Sequence, residues 1–350
     1  MSAFFSGVGV ILSLELRQRV RSISWYILLA VFVGLILMVT VLLSIAFVGF
    51  GGDGGGGTYS TIIYFVLLLG TLVAPALSGN AINGDRDAGT LATTQVTLIT
   101  TWQLILGKFL AAWVTALAFL AAAVPFLIYA TIVGSLGLGT ILISILVLAV
   151  ELGIVAAVGV GLSGLMSRPL FSIVASYLIV AGLSIGTVIA FGLGGLAVQA
   201  TVTTTSSYGQ EYNANGVATS CTPPATREYP APRFDLFWGA LVANPYVILA
   251  DAVPTIYDQY DQPTDLFGFI KLSVRSAQQA PETVIVYDEC ALGSDLYEDR
   301  PTARETIEST TPGWAVGLFI QLVLAGGLLV GAHARTMTPA ARLSRGSRIA

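Results

Sequence analysis

Residues 24–50 read SWYILLAVFVGLILMVTVLLSIAFVGF, and none of these 27 positions carries a charge. As a helix rising 1.5 Å per residue the stretch is about 40 Å long, enough to cross roughly 30 Å of hydrocarbon. Five more apolar stretches follow, at about 59–84, 104–133, 140–165, 170–200 and 313–332. Charged residues make up 10% of the 350-residue chain and apolar ones 55%, with a mean hydropathy of +0.82. Ordinary soluble domains carry about 25% charged residues. The sequence therefore predicts an all-α polytopic membrane protein with six transmembrane helices. Pro75 and Pro125 fall inside the second and third and should kink them, with neighbouring helices re-satisfying the freed carbonyls.

Basic residues set the orientation. Arg17, Arg19 and Arg21 precede the first span, Arg86 and Lys108 flank the second-to-third link, and Arg168 sits in the fourth-to-fifth link. Arg335, Arg342, Arg345 and Arg348 follow the sixth span, whereas the alternate links FGGDGGGGT and GSLGLG have no basic residue. Both termini are thus expected in the cytoplasm. The expected layout is residues 1–23 as a cytoplasmic helix, 24–200 as spans one to five with a cytoplasmic loop at 85–103, and 201–312 outside. Residues 313–334 form the sixth span, and 335–350 a basic tail.

The external segment holds fifteen of the twenty acidic residues and both cysteines. Cys221 and Cys290 would share an oxidising compartment and are expected to pair, the alternative being two free thiols. VTTTSSYGQEYNANG and ESTTPG read as polar, flexible stretches. FDLFWGALVANPYVILADAVP is apolar but broken at Asn244-Pro245, which suits two short surface helices or a re-entrant hairpin. DLFGFIKLSVRSAQQ reads as an amphipathic helix with Phe267, Ile270 and Val274 on one side, and TVIVYDECALG as a strand running into Cys290.

At the other end of the chain no cleavable signal peptide is evident. Phe4, Phe5, Val8, Ile11, Leu12, Leu16, Val20 and Ile23 recur at helical spacing, with Glu15, Arg17 and Arg21 elsewhere on the helix. This suits an interfacial helix on the cytoplasmic leaflet, its arginines near anionic membrane lipids. A plain extension of the first span is the alternative.

Enzyme signatures are lacking. The only Gly-Lys pair, Gly107-Lys108, has Trp102 where a phosphate-binding loop needs its first glycine, and Phe109 where it needs Ser or Thr. His333 is the sole histidine, so neither metal clusters nor histidine triads have material. The sequence predicts no catalytic residue, no metal site, no cofactor in this chain and no nucleic-acid partner.

One ionisable group lies mid-span, Glu151 in the fourth. A carboxyl there is costly and should face the bundle or a wet cavity. It belongs either to a substrate or proton path, or to a protonated acid hydrogen-bonded to a neighbouring helix. Gly153, Ala157 and Gly161 form a small-residue stripe about 160° around the helix from it at the start, expected to face a different neighbour. Gly182, Gly186, Ala190 and Gly194 form a second stripe, expected to pack a helix within the subunit or across a dimer seam.

The second-to-third link reads SGNAINGDRDAGTLATTQVTLITTWQLILGK, with three consecutive charges at residues 85–87. Asp85 or Asp87 is placed to cap a short helix. Leu91, Val96 and Leu98 offer apolar contact points for a cytoplasmic partner. The link resembles the cytoplasmic loop of ABC-2 type transporter permeases, in which an acidic-Arg-acidic triplet, one residue and Gly-Thr-Leu lead into a coupling helix, followed by a Gly-Lys pair. The matching residues are Asp85, Arg86, Asp87, Gly89, Thr90, Leu91, Gly107 and Lys108. Aspartates replace the commoner glutamates, and TLITT lacks the proline frequent after the coupling helix. Six spans, both ends inside and ELRQRVRS as an elbow helix are similar to the same family, over about 240 residues.

The resemblance implies a type V ABC exporter fold, with elbow helix, coupling helix and a large external loop. It implies a permease subunit paired with a second copy or a homologue, above two separate ATPase subunits that hold ATP and magnesium. The expected cargo is an amphipathic molecule such as a drug, antibiotic, lipid or lipid-linked compound, the localisation a cell membrane, and the source bacterial. The alternatives are a membrane scaffold or sensor that moves no cargo, and a secondary transporter using Glu151.

Overall fold

A computed structural model describes residues 2–49, 55–89, 99–212, 218–288 and 301–337. Six of its helices are long and apolar enough to cross a membrane. They are α2 (Ile23–Gly49), α3 (Gly55–Ser78), α5 (Thr101–Gly134), α6 (Leu138–Leu165), the joined α7 (Pro169–Ala181) and α8 (Thr187–Ala197), and α12 (Trp314–Thr336). Their ends lie within a few residues of the six apolar stretches, except that α3 stops at Ser78. Such a bundle is compatible with a multi-pass membrane protein.

α6 is the hub, packed by α3, α5, α7 and α12. Every residue from Glu151 to Gly164 is buried, because its Gly, Ala and Ser positions let neighbouring backbones come close. A methyl group on Gly164 would lie 2.5 Å from Ala332 Cβ of α12. In contrast, α2 and the α7–α8 rod turn most of their surface outward, with Leu, Ile and Val side chains suited to hydrocarbon. The rod is joined by a π-helical turn at Gly182–Gly186.

The two ends of the bundle differ. At the basic end lie α1 (Ser2–Val20), the turn after α3 carrying α4 (Asn83–Asp87), and the last turn of α12, where His333 stacks on Trp102 at 4.4 Å. At the acidic end residues 199–288 correct the all-α expectation. Strands β1 (Gln199–Ser207), β4 (Ala225–Pro232) and β5 (Val284–Asp288) form a sheet in the order β4-β1-β5. β4 is antiparallel to β1 and β5 parallel to it. β2 (Gly209–Tyr212) and β3 (Ala218–Cys221) pair separately. The start of the stretch expected to be flexible, VTTTSS, lies instead in the central strand. Its threonines are β-branched and suit a pleated sheet, and Thr205 meets Thr226 across it at 3.1 Å. Pro230 and Pro232 are tolerated because β4 is an edge.

ESTTPG likewise begins inside a helix, α11 (Ala303–Ser309), opened by a capping box between Thr302 and Glu305. Cys221 is disulfide-bonded; Cys290, its expected partner, lies outside the described residues.

The apolar segment after β4 re-enters the bundle. Two 3₁₀ turns (Phe234–Leu236 and Trp238–Ala243) lead into α9 (Pro245–Ala252). Asn244 caps α9, accepting from the Tyr246 N–H at 2.9 Å. Its amide donates to Ser184 O (2.6 Å) and Thr187 Oγ1 (2.8 Å). Ser184 is thirteen residues from the acidic end of α8, about 20 Å along a helix. Ile248, Leu249 and Val253 share a core with Leu148 and Leu152 of α6 and Ile63 and Leu67 of α3. The segment thus packs among the long helices of the bundle. α10 (Leu266–Ser276) buries Phe267 and Val274 as its periodicity implied.

Candidate functional site

The basic-end turn is built around hydroxyl and amide side chains. The N–H groups of Ile82 and Asn83 donate to Ser163 Oγ of α6 at 2.9 and 3.1 Å. Asn83 Nδ2 donates to Ser172 Oγ of α7 (3.1 Å), whose hydroxyl can donate to Gly79 O (2.5 Å). Arg86 turns inward, donating to Asn83 Oδ1 and Met166 O, both at 2.9 Å. α4 begins without a side-chain cap, and the short helix that Asp85 or Asp87 is expected to cap lies outside the described residues.

Asp85 instead pairs with Lys108 Nζ at 2.8 Å, and Glu15 of α1 takes the other side of the same ammonium. The Lys108 side chain is 2% exposed, against 17% for Glu15 and 32% for Asp85. One buried cation therefore holds together α1, α5 and the turn. Gly107 makes this possible: a Cβ there would lie 2.6 Å from Ile11 Cβ, so α1 crosses α5 over a bare backbone. Gln103 reinforces the crossing by donating to Ala3 O (3.3 Å) and Phe4 O (3.2 Å). Gly107→Leu should push α1 off α5 at a cost of about 1–3 kcal/mol. Limited proteolysis should then cut residues 2–20 faster than in the parent; unchanged cleavage would contradict the crossing.

The expected elbow arginines divide. Arg17 and Arg21 are exposed, whereas Arg19 reaches Thr115 Oγ1 (3.0 Å) and Leu77 O (3.4 Å). Burial lowers the Arg19 pKa, opposed by the charge of Glu15. Of the apolar stripe, Val8 and Ile11 are buried against the rest of the chain, and Phe5, Val20 and Ile23 are exposed. α1 runs along α5 from Gln103 to Thr115, so its buried face is set by α5.

What remains outward is Asp87, Ala88 and Gly89. Gly89 has φ +69°, a left-handed conformation that favours glycine. Thr90 and Leu91, and the expected coupling helix after them, lie outside the described residues.

In mid-bundle, Glu151 is 1% exposed, and among the described residues neither carboxyl oxygen has a hydrogen-bond partner. It borders a cavity of about 10 Å³ with Val155, Val180, Leu183, Pro245 and Gln321. The small-residue stripe on α6 is split, so the expectation that it faces a different neighbour from Glu151 holds at Gly153 and fails at Gly161. Gly153 faces the Trp113 indole of α5, and Gly161 faces Leu328 of α12, the helix that also presents Gln321 to Glu151. A four-residue step advances 400°, so the stripe drifts about 40° per step towards the carboxyl. Ala157 is buried between the two. Among the described residues the second stripe packs none of the long helices: an added Cβ at Gly182 meets nothing, Ala190 is exposed, and Gly194 lies against the Phe237 ring.

No protein-family model matches the chain, and no curated protein does. Sequence reasoning missed Asn83, Ser163, Ser172 and the pairing of Glu15. Glu15 carried a usable signal, as the only acid in the first fifty residues.

Proposed function

We propose that this chain is the transmembrane subunit of an ATP-binding cassette exporter for an amphipathic molecule. Its basic end faces the cytoplasm and docks two separate ATPase subunits that carry ATP and magnesium. A second copy or a homologue completes the pathway within a cell membrane. The observation that carries this reading is the Lys108 junction. A force on the exposed shoulder at 87–89 would reach α1 and α5 together through Asp85, Lys108 and Glu15. Coupling of this kind needs such a rigid element between two global states.

Reversing Arg86 would dismantle the turn itself, so Asp87 is the cleaner probe of docking. An ATP-hydrolysing chain should co-purify with the protein from its native membranes in mild detergent. Asp87→Arg should lower the transport-linked ATPase rate of that complex about tenfold, equivalent to about 1.4 kcal/mol, with membrane insertion unchanged. Gly89→Pro should act at least as strongly, because proline cannot adopt the positive φ. Purification without an ATPase, or full activity in both variants, would overturn the reading.

A further inference from the structure

Gln321 fixes the chemistry of the mid-bundle cavity. Its Nε2 donates to Ala243 O at 2.9 Å, and a carbonyl can only accept, so Oε1 is the atom turned away from Ala243. That Oε1 is buried and without a partner, as are both oxygens of Glu151. Three acceptor oxygens therefore belong to two side chains that line one cavity. The nearest side-chain donor, the Gln321 amide, makes its hydrogen bond to Ala243 O and none within bonding geometry to Glu151. The other lining groups, Ile154, Val155, Val158, Val180, Leu183 and Pro245, offer no side-chain donor.

Among the described residues no cation answers the carboxyl. On α5, Lys108 is taken by Glu15 and Asp85, and Tyr129 meets Ser44. On α3, Tyr59 meets Ser144 and Tyr64 meets Tyr246 O; on α7, Tyr177 donates to Leu72 O. On α9, Tyr246 meets Thr71 and Asp251 pairs with Arg275; on α12, His333 stacks on Trp102 in the last turn, beside exposed Arg335. None of these groups lines the cavity.

We propose that Glu151 is a proton-binding site whose occupancy seats the re-entrant segment 234–252. As a carboxylic acid it supplies the missing donor to Gln321 Oε1, directly or through the one water that about 10 Å³ admits. Gln321 in turn holds Ala243, and the next residue, Asn244, holds Ser184 and Thr187 at the π-helical turn. The proton thus completes a polar chain from α6 through α12 and the re-entrant segment to the α7–α8 rod. Ionisation passes the proton to entering water, leaves acceptor facing acceptor, and places an unpaired charge where only hydration can stabilise it. The segment then loosens at the acidic end. This device is separate from the Lys108 junction and does not depend on the exporter reading.

The test uses the full chain in lipid nanodiscs. Amide hydrogen exchange of residues 234–252 is followed from about pH 6 to about pH 10, a range that brackets documented buried glutamates, and corrected for intrinsic exchange. Protection in the parent should fall at least about tenfold, roughly 1.4 kcal/mol of opening. In Glu151→Gln, whose amide donates but never ionises, it should stay flat. Parallel profiles, or a flat parent, would overturn the proposal. The infrared spectrum of the parent at neutral pH should also contain a buried carboxylic-acid carbonyl band that moves in Gln321→Met. A parent band that is absent, or that is unmoved in Gln321→Met, refutes the site even if Glu151→Gln fails to fold.

Discussion

Lys108→Met should destabilise the protein by roughly 2–4 kcal/mol and release both α1 and the 79–89 turn from α5. The parent places one ammonium, 2% exposed, against two carboxylates. Methionine keeps most of the stem and packing volume but leaves Glu15 and Asp85 as neighbouring anions with no cation between them. Removing one partner of a buried pair costs about 3–5 kcal/mol, because the charge left behind is uncompensated. The cost is lower at this junction because about a third of Asp85 is exposed to solvent that screens it. The thermal midpoint in detergent should fall by about 5–15 °C at 2–4 °C per kcal/mol. Glu15→Gln combined with Asp85→Asn should recover most of the loss in the Lys108→Met background, since the repelling charges are gone. If the single variant melts with the parent, or the triple variant is no better than the single, the junction is not held by charge.

Such a junction shows which parts of this molecule were legible beforehand. The six long helices were, because a continuous apolar run is a local signal that needs no partner to be read. The triplet at 85–87 was visible as an anomaly, but its division of labour was not. Whether Arg86 points to Met166 or to a partner depends on helices brought together from eighty residues away. Glu15 and Lys108 are 93 residues apart, and only the crossing over Gly107 joins them. Gly107 could be read as half of a family motif, yet its work is steric. The acidic end was misread for a different reason. Thr and Ser both suit loops by polarity, but Thr is β-branched and suits strands as well, and the pairing of residues 199–207 with both 225–232 and 284–288 decided it.

Asp251→Ala should be the most damaging single change at the acidic end, costing about 3–5 kcal/mol or more and unseating the start of α12. Asp251 and Arg275 are both about 5% exposed, and Oδ1 accepts from Arg275 Nε at 2.8 Å. The second oxygen accepts from the N–H groups of Gly313 (2.8 Å) and Trp314 (3.0 Å), which open α12 and have no acceptor within that helix. One carboxylate thus joins α9, α10 and the sixth apolar helix, and it does so at the end of the segment that re-enters the bundle. Alanine strands a buried guanidinium, whose remaining contacts are to Thr310 O and Oγ1, and removes a cap worth about 1 kcal/mol. A drop in thermal midpoint on the order of 10 °C is expected, with faster proteolysis of residues 301–313. Asp251→Asn should fall between, since its single oxygen can serve either the guanidinium or the helix start, but not both as well as a carboxylate does. Arg275→Met added to Asp251→Ala should restore a good part of the loss, because replacing a whole buried pair by apolar groups is far milder than halving it. The uncapped start of α12 should persist in that double variant, so its recovery should stop about 1 kcal/mol short of the parent. Full recovery would mean that the cap contributes nothing, and no recovery would mean that Arg275 is not the group left stranded.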